Sequence, residues 1–298
     1  MRLIDVFAAS PVLFTVACAV VGLLVGSFLN VVIHRVPVML QRQWRAECAQ
    51  LSGAAAPAQA DRFNLVVPRS ACPACHAPIH AWQNIPIVSF LALRGRCAAC
   101  GVAISVRYPV VEALTGLMSA AVAWKFGFGV AACGGIVLTW FLIALAFIDI
   151  DHQLLPDHLT LPLLWLGLAF ALWGGGVPAA SLPVDLKSSV LGAVAGYLSL
   201  WSVYQLFRLA TGKEGMGYGD FKLLAALGAW LGWQMLLPIV LAAAAVGAVS
   251  GILLLFIQGR DRATPVAFGP YLAGAGWLML ILGHELVQRY LGLFAGRS

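Results

Sequence analysis

Two aspartates stand where apolar segments meet polar sequence, and such carboxyl groups could do chemistry. Asp220 ends the segment Gly-Tyr-Gly-Asp at 217–220, just before an apolar run, and Asp149 directly follows the apolar run 138–148. Ionisable groups at membrane depth are costly, so they tend to mark functional sites. Two close carboxyl groups that share one proton can activate a water molecule for attack on a carbonyl group. The types and positions of these residues therefore make Asp149 and Asp220 a candidate pair for activating water.

The residues alone leave other roles open for these acids. Asp220 could cap the helix that starts beside it, because a carboxylate at a helix N-terminus complements the helix dipole. Asp151 and Asp157 follow Asp149 closely, and composition does not choose among the three. Depth favours Asp149, which is the first acid after the apolar run.

Four cysteines form two Cys-x-x-Cys pairs, which is the spacing of paired zinc knuckles. Cys72 pairs with Cys75 and Cys97 with Cys100, and 21 residues separate the two pairs. Their thiolates would complete a closed tetrahedral site. We expect a structural zinc ion, because a short loop with few aliphatic residues needs metal binding for much of its folding free energy.

Other interpretations of the cysteines remain. Redox-active pairs or a disulfide are less favoured, because a reducing cytoplasm and the lack of a thioredoxin-like pattern argue against them. Four thiolates could also hold iron. His76 and His80 are alternative ligands beside the first pair. The remaining cysteines are predicted to be ordinary residues: Cys18, Cys48 and Cys133.

The composition is typical of an all-α polytopic membrane protein. Of 298 residues, 61% are hydrophobic and 10% charged, and the mean hydropathy is +0.92. No basic helix with interleaved aromatic residues indicates nucleic acid as a partner. We expect about eight transmembrane helices, although some runs are shorter than the roughly 20 residues of a perpendicular span. The apolar runs are 11–33, 109–124, 126–148, 159–173, 190–207, 221–233, 236–257 and 270–282.

Three parts follow from this pattern. Residues 1–33 are predicted to hold the first transmembrane helix, 34–108 a cytoplasmic loop domain with the four-cysteine zinc site, and 109–298 a membrane-embedded helical bundle. The first apolar run is longer than the roughly 7 to 15 residues of a signal-peptide core, so we expect this helix to be retained.

Basic residues predict the orientation. The stretch 34–108 holds eight arginines and only two acids, and a cytoplasmic position for it places 13 of the 18 basic residues on that side. Asp149 and Asp220 then fall on the cytoplasmic side as well. The net charge of +6 is interpreted as topology and contact with membrane lipid.

Packing positions are also predicted. Small residues four apart let helix backbones approach closely, and Asn30 could form an interhelical hydrogen bond. Lys222 could snorkel towards the interface. The glycine pairs are Gly22 with Gly26, Gly192 with Gly196, Gly228 with Gly232, and Gly247 with Gly251.

Taken together, the motifs resemble those of the type IV prepilin peptidase family over nearly the whole chain. The motifs that carry the resemblance are GSFLNVVIHR at 26–35, the four cysteines, RYPVVE at 107–112, DIDHQLLPD at 149–157, GYGD at 217–220 and FGPY at 268–271. The resemblance implies a bifunctional enzyme of the bacterial inner membrane whose catalytic pair is similar to that of the Gly-x-Gly-Asp aspartic proteases. It maps the two protease aspartates onto Asp149 and Asp220, at the cytoplasmic side.

The resemblance also implies two reactions. One is removal of the short basic leader from type IV prepilins and type II secretion pseudopilins, after a glycine. The other is methylation of the new amine by S-adenosylmethionine, for which no binding residue is assigned, because no Gly-x-Gly-x-x-Gly turn follows a strand. Glu112 is a candidate base or amine ligand, or else a carboxylate in the first turn of a helix that complements the dipole.

Rival functions remain beside this one. An intramembrane aspartic protease without methyltransferase activity is the alternative within the enzymes. A transporter could use buried acids too, but no internal repeat is evident in the sequence. A membrane scaffold could use the zinc loop to bind partners, although it would not need paired acids at one face.

Overall fold

The computed structural model describes residues 3–53, 62–173, 182–258 and 267–295. Within these ranges the regular structure is helical, apart from two isolated β-bridges that join Ala71 to Pro78 and Arg96 to Ala103. The predicted all-α class is confirmed. The α-helices are α1 (Leu3–Ala9), α2 (Pro11–Leu51), α3 (Val88–Ala92), α4 (Arg107–Phe126), α5 (Val130–His152), α6 (Asp157–Phe170), α7 (Leu186–Thr211), α8 (Tyr218–Leu231), α9 (Leu236–Gln258) and α10 (Gly269–Ala295).

Each of the eight predicted apolar runs falls largely within one of the longer helices, α2 and α4 to α10. In the described part of the chain, however, only four helices are long and apolar enough to cross a membrane, so the count of eight spans is not confirmed. Length accounts for two of the helices that are left out: α6 and α8 have 14 residues each, or about 21 Å, whereas the hydrocarbon core is about 30 Å thick. The four are Pro11–Leu51, Val130–His152, Leu186–Thr211 and Trp233–Leu253.

The helix α2 continues beyond the first apolar run. It extends from Pro11 to Leu51 without interruption, although Pro37 lies inside it, so the boundary predicted at residue 33 falls in the middle of a helix. Its 41 residues correspond to about 60 Å. Contacts divide the chain into two compact units, 1–127 and 128–298.

In the first unit, α2 and α4 pack closely against each other. A Cβ atom at Gly22 would lie 2.7 Å from a serine hydroxyl of α4, and one at Gly26 would lie 2.7 Å from Glu112 Cα. Further along α2, the Asn30 amide donates to the Tyr108 carbonyl at 3.1 Å. As residue numbers rise along α2, the residue numbers of their contacts on α4 fall, so the two helices are antiparallel. The predicted roles of this glycine pair and of Asn30 are confirmed.

In the second unit, α8 is the central helix. It packs against α6, α7 and α10, and every residue from Leu223 to Leu231 is buried. A helix that is apolar on all sides needs this kind of complete burial. The Trp230 indole also donates to the Leu163 carbonyl of α6 at 2.8 Å.

Glycines allow α7 to reach the backbone of α8. A Cβ atom at Gly192 would clash with the carbonyl group of Gly228, and one at Gly196 would lie 2.7 Å from the Leu224 oxygen. The predicted close packing is confirmed for this pair. It is not found on α9, where a Cβ atom at Gly251 would meet nothing within 4 Å among the described residues.

Candidate functional site

Asp149 lies in the last turn of α5 and is buried, with 5% of its surface exposed. The helix ends where Gln153 adopts a left-handed conformation (φ 51°) and donates its N–H to the Asp149 carbonyl. The Asp149 carboxylate accepts a hydrogen bond from the backbone N–H of Gly269 at 3.0 Å. Because Gly269 is the first residue of α10, the positive end of that helix faces this carboxylate.

Asp220 is the third residue of α8 and is 7% exposed. The N-cap of α8 is Gly217 and not Asp220, but Asp220 lies in the first turn of the helix, where its carboxylate complements the helix dipole as predicted. Its Oδ1 atom is buried and has no hydrogen-bond partner among the described residues. A buried carboxyl oxygen without a protein partner is costly, and it is a place where a water molecule or a substrate group can bind.

Aromatic packing fixes the start of α8. The ring of Tyr218 lies 5.5 Å from the rings of Tyr204 and Phe221, and the last two rings are 5.6 Å apart. Asp220 stands between two of these anchored side chains, so its backbone has little freedom to move. This cluster was not predicted, although the aromatic residues on both sides of Asp220 were a signal for it.

The two aspartates converge within the second unit. Their carboxyl groups are close enough to interact electrostatically. Leu155, from the loop after α5, packs between the segments that carry them: a Cβ atom at Gly219 would lie 2.7 Å from Leu155 Cβ, and one at Gly269 would lie 3.1 Å from Leu155 Cδ1. The motifs that contain Asp149, Asp220 and Gly269 therefore meet at one place.

Burial separates the three acids that composition could not distinguish. Asp149 is buried, whereas Asp151 is exposed and the side chain of Asp157 is 53% exposed. Asp157 accepts a hydrogen bond from Lys222 at 2.6 Å. Lys222 is thus ion-paired with a residue 65 positions away, a contact that sequence patterns do not reveal.

The four paired cysteines form one cluster in the first unit. Their Sγ atoms all lie within 4.8 Å of one another, and the Sγ atoms of Cys72 and Cys100 are 3.8 Å apart. Tetrahedral zinc with Zn–S bonds of about 2.3 Å places its sulfurs about 3.8 Å apart. The donor set and its size therefore fit a metal ion. Neither His76 nor His80 belongs to the cluster in the described part of the chain.

Both Cys-x-x-Cys pairs fold in the same way. In each pair the N–H of the residue after the second cysteine donates to the carbonyl of the first, His76 to Cys72 and Gly101 to Cys97, at 2.9 Å. Both donors have a left-handed backbone, with φ of 57° at His76 and 71° at Gly101. The same loop geometry arises twice, which directs all four sulfurs to one point.

Backbone N–H groups also direct hydrogen bonds at the sulfurs. Those of Cys75 and Ala74 lower the pKa of the Cys72 thiol to about 6. The Val102 N–H also favours the charged form of Cys100, but the neighbouring Cys75 thiol and other groups raise the pKa of Cys100 to about 11. Four thiolates this close repel one another, and a divalent cation removes that repulsion.

Two buried charged residues connect the segment between α2 and α4 to these helices. Glu112, the sixth residue of α4, accepts the Ile87 N–H at 2.8 Å and a hydrogen bond from the Ser27 side chain of α2. It is not in the first turn, so the predicted dipole role is wrong. Arg35 of α2 donates to the carbonyl groups of Asn64 and Pro68 at 2.8 and 2.7 Å.

Comparison with protein-family models gives two matches that together cover most of the chain. Residues 20–126 match the bacterial peptidase A24 N-terminal domain, and residues 136–252 match the type IV leader peptidase family. No solved structure matches this chain.

Three similar proteins share the name prepilin leader peptidase/N-methyltransferase. The chain is 52% identical over 291 residues to the prepilin leader peptidase/N-methyltransferase of Stutzerimonas stutzeri, with 98% of each chain covered. It is 51% identical over 296 residues to the protein of that name from Pseudomonas aeruginosa, with 99% of each chain covered. The corresponding Aeromonas salmonicida protein is 54% identical over 272 residues, or 91% of each chain.

Proposed function

The chain belongs to the type IV leader peptidase family, and on that premise we propose that it is a prepilin leader peptidase and N-methyltransferase of the bacterial inner membrane. Asp149 and Asp220 are the proposed protease pair, at the cytoplasmic side. The proposed substrates are type IV prepilins and type II secretion pseudopilins. The observation that carries the protease assignment is the meeting of two buried carboxyl groups whose residues are 71 positions apart in the sequence.

In the proposed mechanism the pair holds one proton. The ionised carboxylate accepts a proton from a water molecule, whose oxygen attacks the carbonyl carbon of the scissile peptide bond. The protonated carboxyl donates a hydrogen bond to the carbonyl oxygen, which becomes negative as the tetrahedral intermediate forms. The C–N bond then breaks and a proton passes from the pair to the leaving amine. No covalent enzyme intermediate is needed.

The surroundings of each carboxyl group fit this division of work. The Gly269 N–H holds one oxygen of Asp149 in a fixed direction. The Oδ1 atom of Asp220 is left without a partner among the described residues, so it is free to bond the water or the scissile carbonyl. Orientation of this kind is a large part of catalysis, because the reacting atoms need not be brought together at the moment of reaction.

The proposed methyl transfer uses S-adenosylmethionine as donor and the amine exposed by cleavage as acceptor. The amine nitrogen forms the new bond to the methyl carbon, the sulfonium sulfur keeps the electron pair, and the amine loses a proton. Glu112 accepts hydrogen bonds from Ile87 and Ser27, which tie its carboxylate to the protein, and we assign it no part in this step.

The proposed metal is structural zinc, held by Cys72, Cys75, Cys97 and Cys100. A closed site of four thiolates has no open position for substrate, so such an ion supplies folding free energy to the loop and no chemistry.

Cleavage and methylation can be tested separately with purified enzyme in lipid nanodiscs. We expect Asp149→Asn and Asp220→Asn each to slow removal of a prepilin leader at least about 1,000-fold, because a proton-sharing pair needs both members. Each variant should still methylate a pilin peptide that already lacks its leader. Asp157→Asn is the matched control and should cleave almost normally, since an exposed ion pair contributes about 0–1 kcal/mol.

Two results would contradict the proposal. Cleavage by either Asp149→Asn or Asp220→Asn at the rate of Asp157→Asn would remove the protease assignment. Mass spectrometry of the mature pilin after incubation with S-adenosylmethionine tests the methyltransferase activity. An unmethylated N-terminus would mean that the protein is an aspartic protease without methyltransferase activity.

A further inference from the structure

A row of apolar side chains faces outward in the segment just before the second cysteine pair. Trp82, Ile85, Val88 and Leu91 are 53%, 47%, 60% and 68% exposed. They recur every third residue through a short 3₁₀ turn, Ala81–Asn84, and the helix α3, which contact each other. Between them Pro86 is buried, four residues are partly buried and Asn84 is exposed. We call the four outward residues the apolar row.

Hydrogen bonds fix the depth of this row beside the transmembrane helices. Ile87, in the middle of the row, donates its N–H to Glu112 of α4, and Glu112 is also bonded to Ser27 of α2. Ser27 lies inside the apolar run 11–33, six residues before its end, which is about 9 Å along the helix. The row is therefore held at a level where α2 is still apolar.

Lipid is what surrounds α2 at that level. Leu24 and Phe28, which lie one turn apart on α2 and on either side of Ser27 in the sequence, are 57% and 52% exposed, as expected for side chains that face the bilayer. A bilayer that covers these two side chains also reaches the apolar row. Tryptophan at the edge of such a row is typical of the membrane interface, where its ring is amphipathic.

The charge of the segment fits an anionic membrane surface. Residues 62–111 contain five arginines and no aspartate or glutamate. Arg94 and Arg96, directly after the row, are exposed. A zinc ion with four thiolates would carry a charge of about −2, which offsets fewer than half of these arginines. Each basic residue near an anionic leaflet contributes about 1 kcal/mol of attraction.

We propose that Trp82, Ile85, Val88 and Leu91 form an interfacial membrane anchor, which inserts into the boundary between headgroups and acyl chains of the anionic leaflet beside α2 and α4. In this role Glu112 is a positioning residue, because its hydrogen bond to Ile87 sets the depth of the anchor. This inference goes beyond the proposed function: it depends on α2 crossing the membrane and on no step of either reaction.

The chain provides an internal control for depth. Arg35 lies eight residues beyond Ser27 on α2, about 12 Å further from the apolar level, and it holds the carbonyl groups of Asn64 and Pro68. Val66, between those two residues, is 79% exposed. It is as apolar as the row and belongs to the same segment, but it is held about 12 Å further along α2, past the end of the apolar run.

Photolabelling from lipid tests the anchor in the full-length, zinc-containing protein. The protein is placed in nanodiscs that contain anionic lipid and a trace of lipid with a diazirine near the top of its acyl chain. After irradiation, trypsin releases peptide 70–94, which contains the row, and peptide 63–69, which contains Val66. We expect label on peptide 70–94 and little on peptide 63–69.

Substitutions in the apolar row test whether the labelling depends on its side chains. Trp82→Gln with Leu91→Gln should lose most of the label on peptide 70–94, while Val66→Gln should leave it unchanged. If the double variant loses its zinc, Leu91→Gln alone changes only the most exposed side chain of the row and should reduce the label in the same direction. Equal labelling of the two peptides, or undiminished labelling in the variants, would overturn the proposal.

A substrate helix is the competing occupant, and the same assay detects it. Addition of excess prepilin should leave the lipid label on peptide 70–94 unchanged. If prepilin removes the label, the row is a substrate-binding surface and the membrane anchor is refuted. The double variant is expected to retain leader cleavage on detergent-solubilised prepilin, so failure of the anchor and failure of the peptidase assignment give different results.

Discussion

Gly269 places a backbone N–H, and no side chain, against the Asp149 carboxylate. The N–H donates to Oδ2 at 3.0 Å, and a Cβ atom there would lie 2.6 Å from the same oxygen and 3.1 Å from Leu155 Cδ1. A side chain at this position would displace the carboxylate that it now orients. Gly269 is therefore a positioning residue for the proposed protease pair.

Replacement of Gly269 by alanine should reduce leader cleavage about 100-fold, because a displacement near 1 Å in a catalytic group has effects of that size. We expect the loss in kcat with little change in KM, since the substrate-binding surface is untouched. Gly274→Ala, on the same helix, is the control, because a Cβ atom there meets nothing within 4 Å in the described part of the chain. Equal kinetics in the two variants would show that Gly269 does not position Asp149.

Individual residues differ in how far their roles could be predicted. Asp149 and Asp220 were identifiable because a charge at the edge of an apolar run is conspicuous. The choice of Asp149 over Asp151 and Asp157 depended on burial, which the structure supplies. The partner of Asp149 could not be predicted, because Gly269 is 120 residues away and acts through its backbone.

Among the elements, the two cysteine loops were the most predictable, because the spacing of the ligands itself determines the geometry. Helix boundaries were less predictable. The apolar run of α2 ends near residue 33, but the helix continues to Leu51 in more polar sequence. The helix propensities of those residues permit this extension, but a hydropathy pattern does not reveal it. The burial of every α8 residue from Leu223 to Leu231 is a property of the neighbouring helices, so the sequence of α8 looked like a short membrane span.

Loss of one cysteine should empty the proposed zinc site. We expect Cys97→Ser to lower bound zinc from about one ion per chain to near zero and to make the segment 62–106 sensitive to protease, because metal binding supplies its folding free energy. Cys48→Ser, at an exposed cysteine outside the cluster, should retain zinc. Elemental analysis and limited proteolysis measure both effects. A metal-free wild-type protein with a protease-resistant segment would contradict a structural metal.

Acid should release the same ion. The pKa of the Cys72 thiol is lowered to about 6 by the N–H groups of Cys75 and Ala74, so its thiolate predominates above that pH and is lost as the pH falls through it. Protons and metal compete for the sulfurs. We expect a chelator to remove zinc faster near pH 5 than near pH 7.5, measured with a zinc-sensitive dye. Release that is independent of pH would contradict thiolate ligation.

At the scale of the whole molecule, the membrane orientation follows from charge and chain direction. If the arginine-rich stretch after residue 33 lies in the cytoplasm, α2 begins on the opposite face of the membrane. Because α4 is antiparallel to α2, the C-terminal end of α4 also lies on that opposite face. Cys48 near the end of α2 and Gly129 between α4 and α5 should then lie on opposite faces. Gly129 tolerates a side chain, since its backbone is extended (φ 168°) and a Cβ atom meets nothing within 4 Å among the residues that the structure describes.

An impermeant maleimide distinguishes the two faces in intact spheroplasts. In a background with Cys18→Ser and Cys133→Ser, we expect Cys48 to be labelled only after the membrane is permeabilised. In a second variant, Cys48→Ser with Gly129→Cys, position 129 should be labelled without permeabilisation. The zinc-binding cysteines are retained in both variants, and Cys48→Ser alone gives their background. Labelling of Cys48 in intact spheroplasts would reverse the orientation and place the proposed aspartate pair on the wrong side for a leader that stays in the cytoplasm.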